Sequence, residues 1–250
     1  MTEKHIVITG AGRGIGAAIA RRLAKEGVSL SLMGRTLAPL EALAEELPRA
    51  RAVTADVTDS DSVQRAFATA RENFGLISGL VNNAGQAKTA TFGKTTDELW
   101  QQMLAVNLNG PFFCTRESLA DMKSLGWGRI ITIASTSGLK GYEYVAAYTA
   151  AKHGVVGMTK SLALELALTG ITVNAVCPGF ADTELTRQAI DNIVKKTGRT
   201  EDQALAELAK WSPQKRLIQP EEVADTVAWL WSGAESMTGQ AIVVAGGEIM

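Results

Sequence analysis

Short runs rich in β-branched residues alternate with longer amphipathic runs, and this alternation constrains the fold more than any other feature. The strand candidates are 5–9, 28–33, 51–55, 78–82, 128–134, 171–177 and 240–244. The helix candidates are 14–26, 37–47, 60–74, 96–123, 147–169, 185–211 and 221–232. A strand followed by a helix, repeated six times, predicts an α/β fold in which helices cover both faces of a parallel sheet. No Pro/Ser-rich linker interrupts the pattern, so we expect one domain over residues 1–250.

Composition excludes several classes of protein. The 250 residues are 46% hydrophobic and 20% charged, which is typical of a globular chain. Lys and Arg total 25 against 26 Asp and Glu, so no basic excess indicates nucleic acid. Two cysteines and two histidines are too few for a dedicated metal site. With neither a long apolar span nor a signal-peptide pattern, we expect a cytoplasmic protein that does not enter a membrane.

The first strand runs into a glycine-rich turn, and a helix follows it. Such a turn lets backbone N–H groups approach a pyrophosphate, and the helix N-terminus adds positive potential. The spacing is T-G-x-x-x-G-x-G, which differs from the common G-x-G-x-x-G pattern at Ile15. Its position between a strand and a long helix nevertheless predicts a dinucleotide site. The candidate residues are Gly10, Gly12, Arg13, Gly14, Ile15 and Gly16.

The residues after the second and third strands bear on which dinucleotide is bound. An NAD site usually has an acid after the second strand for the ribose 2′-hydroxyl, whereas this chain has Gly34-Arg35. Arg35 and Arg13 can hold a 2′-phosphate instead, which favours NADP(H); the alternative is two surface arginines. Asp56, followed by Val57, can pair with the adenine amino group or cap the next helix.

Four polar residues form a candidate catalytic group. Tyr148 and Lys152 are four apart in a helical segment and so share a face, and Ser135 closes the preceding strand. A nearby ammonium would lower the tyrosine pKa from about 10, making Tyr148 an acid toward a carbonyl or a base toward an alcohol. Ser135 can donate to the same oxygen, and Asn107 can link the lysine to solvent through a water. An isolated Tyr-x-x-x-Lys is ordinarily a surface pair; the glycine turn and Ser135 favour catalysis.

Together these residues resemble the classical short-chain dehydrogenase/reductase family over essentially the whole chain. The resemblance implies a Rossmann fold with a seven-stranded sheet of order 3-2-1-4-5-6-7, no bound metal, and the NADP-preferring branch. It implies that the catalytic residues are Asn107, Ser135, Tyr148 and Lys152. It adds as cofactor-binding residues Asn83, Ala84, Gly85, Tyr148, Lys152, Pro178, Gly179, Phe180 and Thr183. One departure is Ala245-Gly246-Gly247, where the family commonly has Asp-Gly-Gly, and it bears on subunit contacts or the site edge.

Within the family, the chain looks most like bacterial reductases of 3-oxoacyl thioesters and polyketide ketones. We therefore expect NADPH-dependent reduction of a ketone to a secondary alcohol. The alternatives are an NADP-dependent dehydrogenase of another small alcohol or 3-hydroxy acid, and a non-catalytic NADP(H) sensor. The candidate substrate residues are Gln86, Leu139, Tyr142 and Tyr144.

Two regions bear on substrate access and assembly. Residues 183–219 are long and charged, and are either a lid over the site or a solvated helical excursion. Within them, Lys195, Lys196 and Arg199 can meet the phosphates of a CoA or carrier-protein arm, or form a plain charged face. Helices 96–123 and 146–168 are more apolar than one buried stripe requires. In the family they form the main dimer contact of a tetramer, so we expect a homotetramer; the alternative is burial beneath the lid.

Overall fold

Seven parallel strands form the sheet of the computed structural model, which describes residues 4–250 apart from the side chains of residues 185, 189 and 196. The strands are β1 (His5–Thr9), β2 (Ser29–Gly34), β3 (Ala50–Thr54), β4 (Gly79–Asn82), β5 (Gly128–Ile133), β6 (Ile171–Pro178) and β7 (Ala241–Val244). Their spatial order is β3-β2-β1-β4-β5-β6-β7, which confirms the predicted topology. The side chain of Lys196, a predicted phosphate contact, lies outside the described residues.

Helices cover both faces of this sheet. They are α1 (Gly14–Ala24), α2 (Leu37–Glu46), α3 (Ser60–Phe74), α4 (Asp97–Leu104), α5 (Gly110–Leu125), α6 (Ala146–Glu165), α7 (Glu184–Thr197), α8 (Glu201–Ala209) and α9 (Pro220–Ser232). Strand β1 shows why two layers form. Ile6 and Ile8 belong to an apolar cluster with α1 and α9, while Val7 belongs to a second cluster with α3 and α5. A central parallel strand is therefore buried on both faces, as its uninterrupted apolar sequence requires.

Two predicted helices are divided in the structure. The predicted helix 96–123 consists of α4 and α5, joined by a π-helical turn at Ala105–Asn109. The predicted helix 185–211 consists of α7 and α8, because Gly198 ends α7 in the left-handed conformation with φ 69°. Thr200 and Gln203 then form a capping box that begins α8. Among residues 4–250, no helix is both long and apolar enough to cross a membrane.

Candidate active site

The glycine turn packs directly against the segment that follows β4. Gly10 has a φ of 64°, and a Cβ there would lie 2.8 Å from Ala84 Cα. A Cβ on Gly16 would lie 2.2 Å from the Gly10 carbonyl oxygen. Any side chain at either position would therefore displace backbone, which explains two of the glycines in the turn.

Asn83 and Ala84 hold this turn in place. The Asn83 side-chain amide donates to the carbonyl oxygens of Thr9 (3.1 Å) and Gly10 (2.9 Å). The Thr9 hydroxyl accepts from the backbone N–H groups of Asn83 (3.0 Å) and Ala84 (3.1 Å). The segment after β4 therefore supports the turn through hydrogen bonds to its backbone.

The N-terminus of α1 fits a bound phosphate. Arg13 is extended at the N-cap, and within the described residues its side chain does not cap the helix and no acid occupies the first turn. Uncapped N–H groups at a helix N-terminus attract anions. Ile15, the departure from the common glycine spacing, packs against the apolar cluster around α1.

The two arginines predicted to bind a 2′-phosphate have different surroundings. Arg13 forms an ion pair with Glu184 at 2.8 Å, and the two side chains are 74% and 55% exposed. An ion pair this exposed contributes only about 0–1 kcal/mol, so a phosphate can displace Glu184 from Arg13 at little cost. Arg35 is exposed at the end of β2. The structure therefore leaves Arg35 in the predicted place and engages Arg13 with α7.

Asp56 is not a helix cap, which removes one of its two predicted roles. The N-cap of α3 is Asp59, whose side chain accepts from the Asp61 backbone N–H. Asp56 instead accepts from the Thr58 backbone N–H (2.9 Å) and hydroxyl (2.7 Å). Burial opposes the charge, but these bonds and the nearby Arg35 outweigh it and hold the pKa of Asp56 below its usual value. Val57 is buried beside it.

Ser135, Tyr148 and Lys152 come together at the carboxyl end of β5. The Ser135 side chain lies close enough to the Tyr148 hydroxyl to lower its pKa, and the Ser135 hydroxyl accepts from the Ser137 backbone N–H at 3.1 Å. Lys152 lies one turn further along α6, with Nζ 5.6 Å from the centroid of the Tyr148 ring. The Lys152 ammonium donates to the Ile133 carbonyl oxygen at 2.8 Å. The three predicted residues are therefore neighbours.

The predicted pKa of Tyr148 is wrong in direction. Burial raises the pKa of Tyr148, and the hydrogen bond from Ser135 only partly offsets this. Burial also lowers the pKa of Lys152 to about 8, which weakens it as a source of positive charge. The sequence spacing correctly predicts that Lys152 lies near Tyr148. It does not predict how much hydration the two side chains lose, because that depends on all the elements packed around them. At neutral pH the Tyr148 hydroxyl is therefore protonated, as a proton donor must be, but burial makes it a weaker acid than a free tyrosine.

Asn107 lies in the π-helical turn and is fully buried. Its side-chain amide donates to the carbonyl oxygens of Gln86 (2.9 Å) and Met103 (3.0 Å). A Cβ on Gly85 would lie 3.0 Å from the Asn107 side-chain oxygen and 3.8 Å from Lys152 Nζ. Asn107 and Lys152 thus approach the same glycine, and a water between them stays a prediction. Single π-helical turns often occur at functional sites.

The loop after β6 passes close to the glycine turn. Pro178 ends β6, and the Gly179 backbone N–H donates to the Val244 carbonyl oxygen at 3.0 Å. Thr183 is the N-cap of α7, and a Cβ on Gly14 would lie 3.4 Å from its methyl carbon. The structure therefore brings this loop to the predicted cofactor turn.

The predicted substrate residues do not share one environment. The backbone of Gln86 bonds Asn107, and Leu139 packs against a cluster that includes Val155. Tyr142 forms an edge contact with Phe180, and Tyr144 is 58% exposed with a φ of 67°. Sequence reasoning missed two further side chains beside Tyr142, namely Trp211 and Glu248. The sequence did offer one signal for Glu248, because this residue directly follows Ala245-Gly246-Gly247, where the chain departs from the family pattern.

Comparison with known proteins defines the family. The family model described as short chain dehydrogenase matches residues 4–194, so the chain belongs to that family of oxidoreductases. A structure of an actinorhodin polyketide ketoreductase variant with NADPH has a TM-score of 0.94 and 39% identity. That match covers 98% of this chain and 97% of the other.

Two curated relatives are similar over nearly their full lengths. A Streptomyces coelicolor protein, provisionally assigned as a ketoacyl reductase, is 40% identical over 96% of this chain and 95% of its own. The D-beta-hydroxybutyrate dehydrogenase of Rhizobium meliloti is 38% identical over 98% of each chain.

Proposed function

We propose that this protein is an NADPH-dependent reductase that converts a ketone into a secondary alcohol. The observation that carries the proposal is the placement of Ser135 beside the Tyr148 hydroxyl, with Lys152 one turn behind, at the sheet edge that holds the glycine turn. The structural relative that contains NADPH supports the choice of cofactor. Exposed Arg35, at a position where an NAD site usually has an acid, supports the same choice.

The residues of the site have separate roles in this reaction. A dinucleotide bound at the glycine turn would supply a hydride to the carbonyl carbon. Tyr148 gives its proton to the carbonyl oxygen, and Ser135 donates a hydrogen bond that holds the same oxygen in place. Lys152, fixed by the Ile133 carbonyl, keeps a positive charge behind Tyr148 at neutral pH, because its pKa is about 8.

We propose a 3-oxoacyl thioester or a related ketone, carried by CoA or a carrier protein, as the substrate. The Streptomyces relative and the polyketide ketoreductase support this class. Residues 183–219 would act as the lid over the active site. Their first helix, α7, starts next to the glycine turn, because Glu184 at its first position pairs with Arg13. Arg199 pairs with Glu207 at 3.4 Å, so Lys195 is the more available phosphate contact of the two.

The Rhizobium relative favours a second candidate, a 3-hydroxy acid dehydrogenase. Initial rates with NADPH and NADH separate the two when measured on acetoacetyl-CoA, acetoacetate, a decalone-like cyclic ketone and an aryl ketone. Fast turnover of the thioester with NADPH supports our proposal, whereas turnover of acetoacetate alone supports the second candidate. Any turnover excludes a non-catalytic sensor.

The mechanism predicts that Tyr148→Phe removes nearly all ketone reduction while NADPH binding is retained. Loss of a positioned proton donor typically lowers rates by about 10²–10⁴-fold. His153→Gln is the matched control, because His153 is exposed on the same helix. Stopped-flow rates and NADPH fluorescence titration measure the two properties. Turnover by Tyr148→Phe at the wild-type rate would overturn the mechanism.

We also propose that the protein is a cytoplasmic homotetramer. Leu164 in the last turn of α6 and Leu168 in the turn after it are 82% and 101% exposed, and Phe112 on α5 is 46% exposed. These apolar side chains are not covered by the lid segment, which argues against the alternative of burial within one chain. Strand β7 adds a second apolar surface, since Ala241–Val244 form a half-buried sheet edge. Two separate apolar surfaces fit a tetramer better than a dimer.

A further inference from the structure

Glu248, two residues before Met250, has a side chain that is only 2% exposed. A buried carboxylate is costly unless charges and hydrogen bonds compensate for it. Both compensating groups come from the loop between β5 and α6. The Lys140 ammonium lies 3.0 Å from the Glu248 Oε1 atom, and the Tyr142 hydroxyl donates to the same oxygen. A residue at the end of the chain is therefore tied to the loop between Ser135 and Tyr148.

The backbone around Glu248 is shaped for this approach. Gly246 and Gly247 have φ values of 59° and 88°, which turn the chain back after β7. The second carboxylate oxygen of Glu248 lies 3.0 Å from where a Cβ on Gly179 would stand. Gly179 is a predicted cofactor-binding residue, so the carboxylate lies against the loop predicted to hold the nicotinamide. The unusual Ala245-Gly246-Gly247 segment thus leads into the active site.

Tyr142 connects this carboxylate to Thr136, the residue that follows Ser135. Its hydroxyl lies 2.7 Å from the Thr136 hydroxyl oxygen, and Thr136 follows Ser135 directly. Its ring makes edge contacts with Phe180 (centroids 6.3 Å apart) and with Trp211 (5.6 Å). Burial, the bond to Glu248 and the proximity of Tyr148 all raise the pKa of Tyr142. Tyr142 therefore contacts Trp211 of the lid segment with its ring and Thr136, the neighbour of Ser135, with its hydroxyl.

We propose that Glu248 is a positioning residue for the ketone. It fixes Tyr142 near Tyr148, so that this wall of the substrate pocket has one defined shape. The proposal rests on the function proposed above. A phenol held by a charged acceptor has little rotational freedom, so the wall is organised before the ketone binds. Glu248 lies against Gly179, but the hydrogen bond and ion pair that the structure shows for its side chain are with Tyr142 and Lys140, so ketone binding depends on it more than NADPH binding does.

Four variants test this role: Glu248→Gln, Tyr142→Phe, the double variant, and Glu143→Gln as the matched control. Glu143 adjoins Tyr142 in sequence and is exposed. Glu248→Gln should raise the KM of the ketone about tenfold, because one charge-assisted hydrogen bond is lost. The KM of NADPH should stay within about twofold and kcat within about threefold. The double variant should be no worse than Tyr142→Phe, because Glu248 acts through Tyr142.

Additive losses in the double variant, or an equal rise in the KM of ketone and NADPH, would overturn the proposal. Hydrogen exchange provides a readout that needs no turnover. Glu248→Gln should accelerate exchange in peptides covering 136–145 and 207–214, and Glu143→Gln should not. Unchanged exchange would also overturn it. If the wild type reduces no ketone, the proposed function fails by itself, while the exchange experiment still decides whether Glu248 holds this loop.

Discussion

Lys152 is a buried charge whose cost to folding can be measured. The residue is 4% exposed, and burial lowers the pKa of its ammonium to about 8 from 10.5. A lysine whose folded-state pKa is lowered destabilises the fold fully below pH 8, and the penalty disappears as pH rises toward 10.5. This shift corresponds to roughly 3 kcal/mol, part of which is offset by the hydrogen bond to Ile133.

Lys152→Met should therefore abolish ketone reduction and yet stabilise the free protein at pH 7 by about 1–2 kcal/mol. The gain should shrink steadily between pH 8 and pH 10.5, where the wild-type lysine becomes neutral in both states. Urea unfolding across this pH range measures the effect. Lys160→Met is the control, because Lys160 is exposed on the same helix. A stability difference that does not depend on pH would contradict the assigned cause.

The catalytic residues could be predicted individually because their spacing has a local meaning. Tyr148 and Lys152 share a face at any i, i+4 position of a helix. The direction of the Tyr148 pKa shift could not be predicted, because burial is a property of every element around the hydroxyl. Glu248 was missed for a related reason: its partner Tyr142 is 106 positions away in the sequence.

At the scale of elements, the two divided helices show that hydrophobic periodicity alone does not locate the ends of helices. Periodicity continues across Gly198, but the glycine followed by the Thr200–Gln203 capping box is a recognisable end and start of a helix. The π-helical turn around Asn107 carries no comparable signal. It depends on the bonds of the Asn107 amide to Gln86 and Met103, which become visible only in the folded chain.

The end of β2 decides the preference between cofactors in our proposal. Gly34 has space for a side chain, since the nearest atom that a Cβ there would meet is a Leu40 methyl carbon at an ordinary 3.5 Å. Gly34→Asp combined with Arg35→Ala should therefore fold normally. The new carboxylate accepts from a ribose 2′-hydroxyl and repels a 2′-phosphate, which also loses the Arg35 charge.

We expect the ratio of kcat/KM for NADPH to that for NADH to fall by about one to two powers of ten in this double variant. Steady-state rates with both cofactors at a fixed ketone concentration measure the ratio. Arg21→Ala is the control, because Arg21 pairs with Glu46 on the outside of α1. An unchanged ratio would show that the 2′-phosphate site lies elsewhere.

At the scale of the molecule, the alternation of strands and helices predicted a parallel sheet, and the family resemblance implied its strand order. Parallel strands joined by helices allow few arrangements, because the crossovers are right-handed and the connections short. The exposed surfaces were less predictable. On α5, Phe112 is exposed, whereas Phe113 and Leu119 pack against the core. The apolar composition of a helix alone does not show which of its faces packs against the core and which face is exposed.

The exposed end of α6 tests the proposed tetramer. Leu164 is 82% exposed next to Leu168, and burying both against a second copy would remove apolar surface from water. Leu164→Glu should therefore reduce the mass in light scattering from that of four chains to that of two or one. A charge buried in an interface costs several kcal/mol. Leu76→Glu, at a 45% exposed site before β4, should leave the mass unchanged. A wild type with the mass of a single chain, or a tetramer that tolerates Leu164→Glu, would show that this surface does not join subunits.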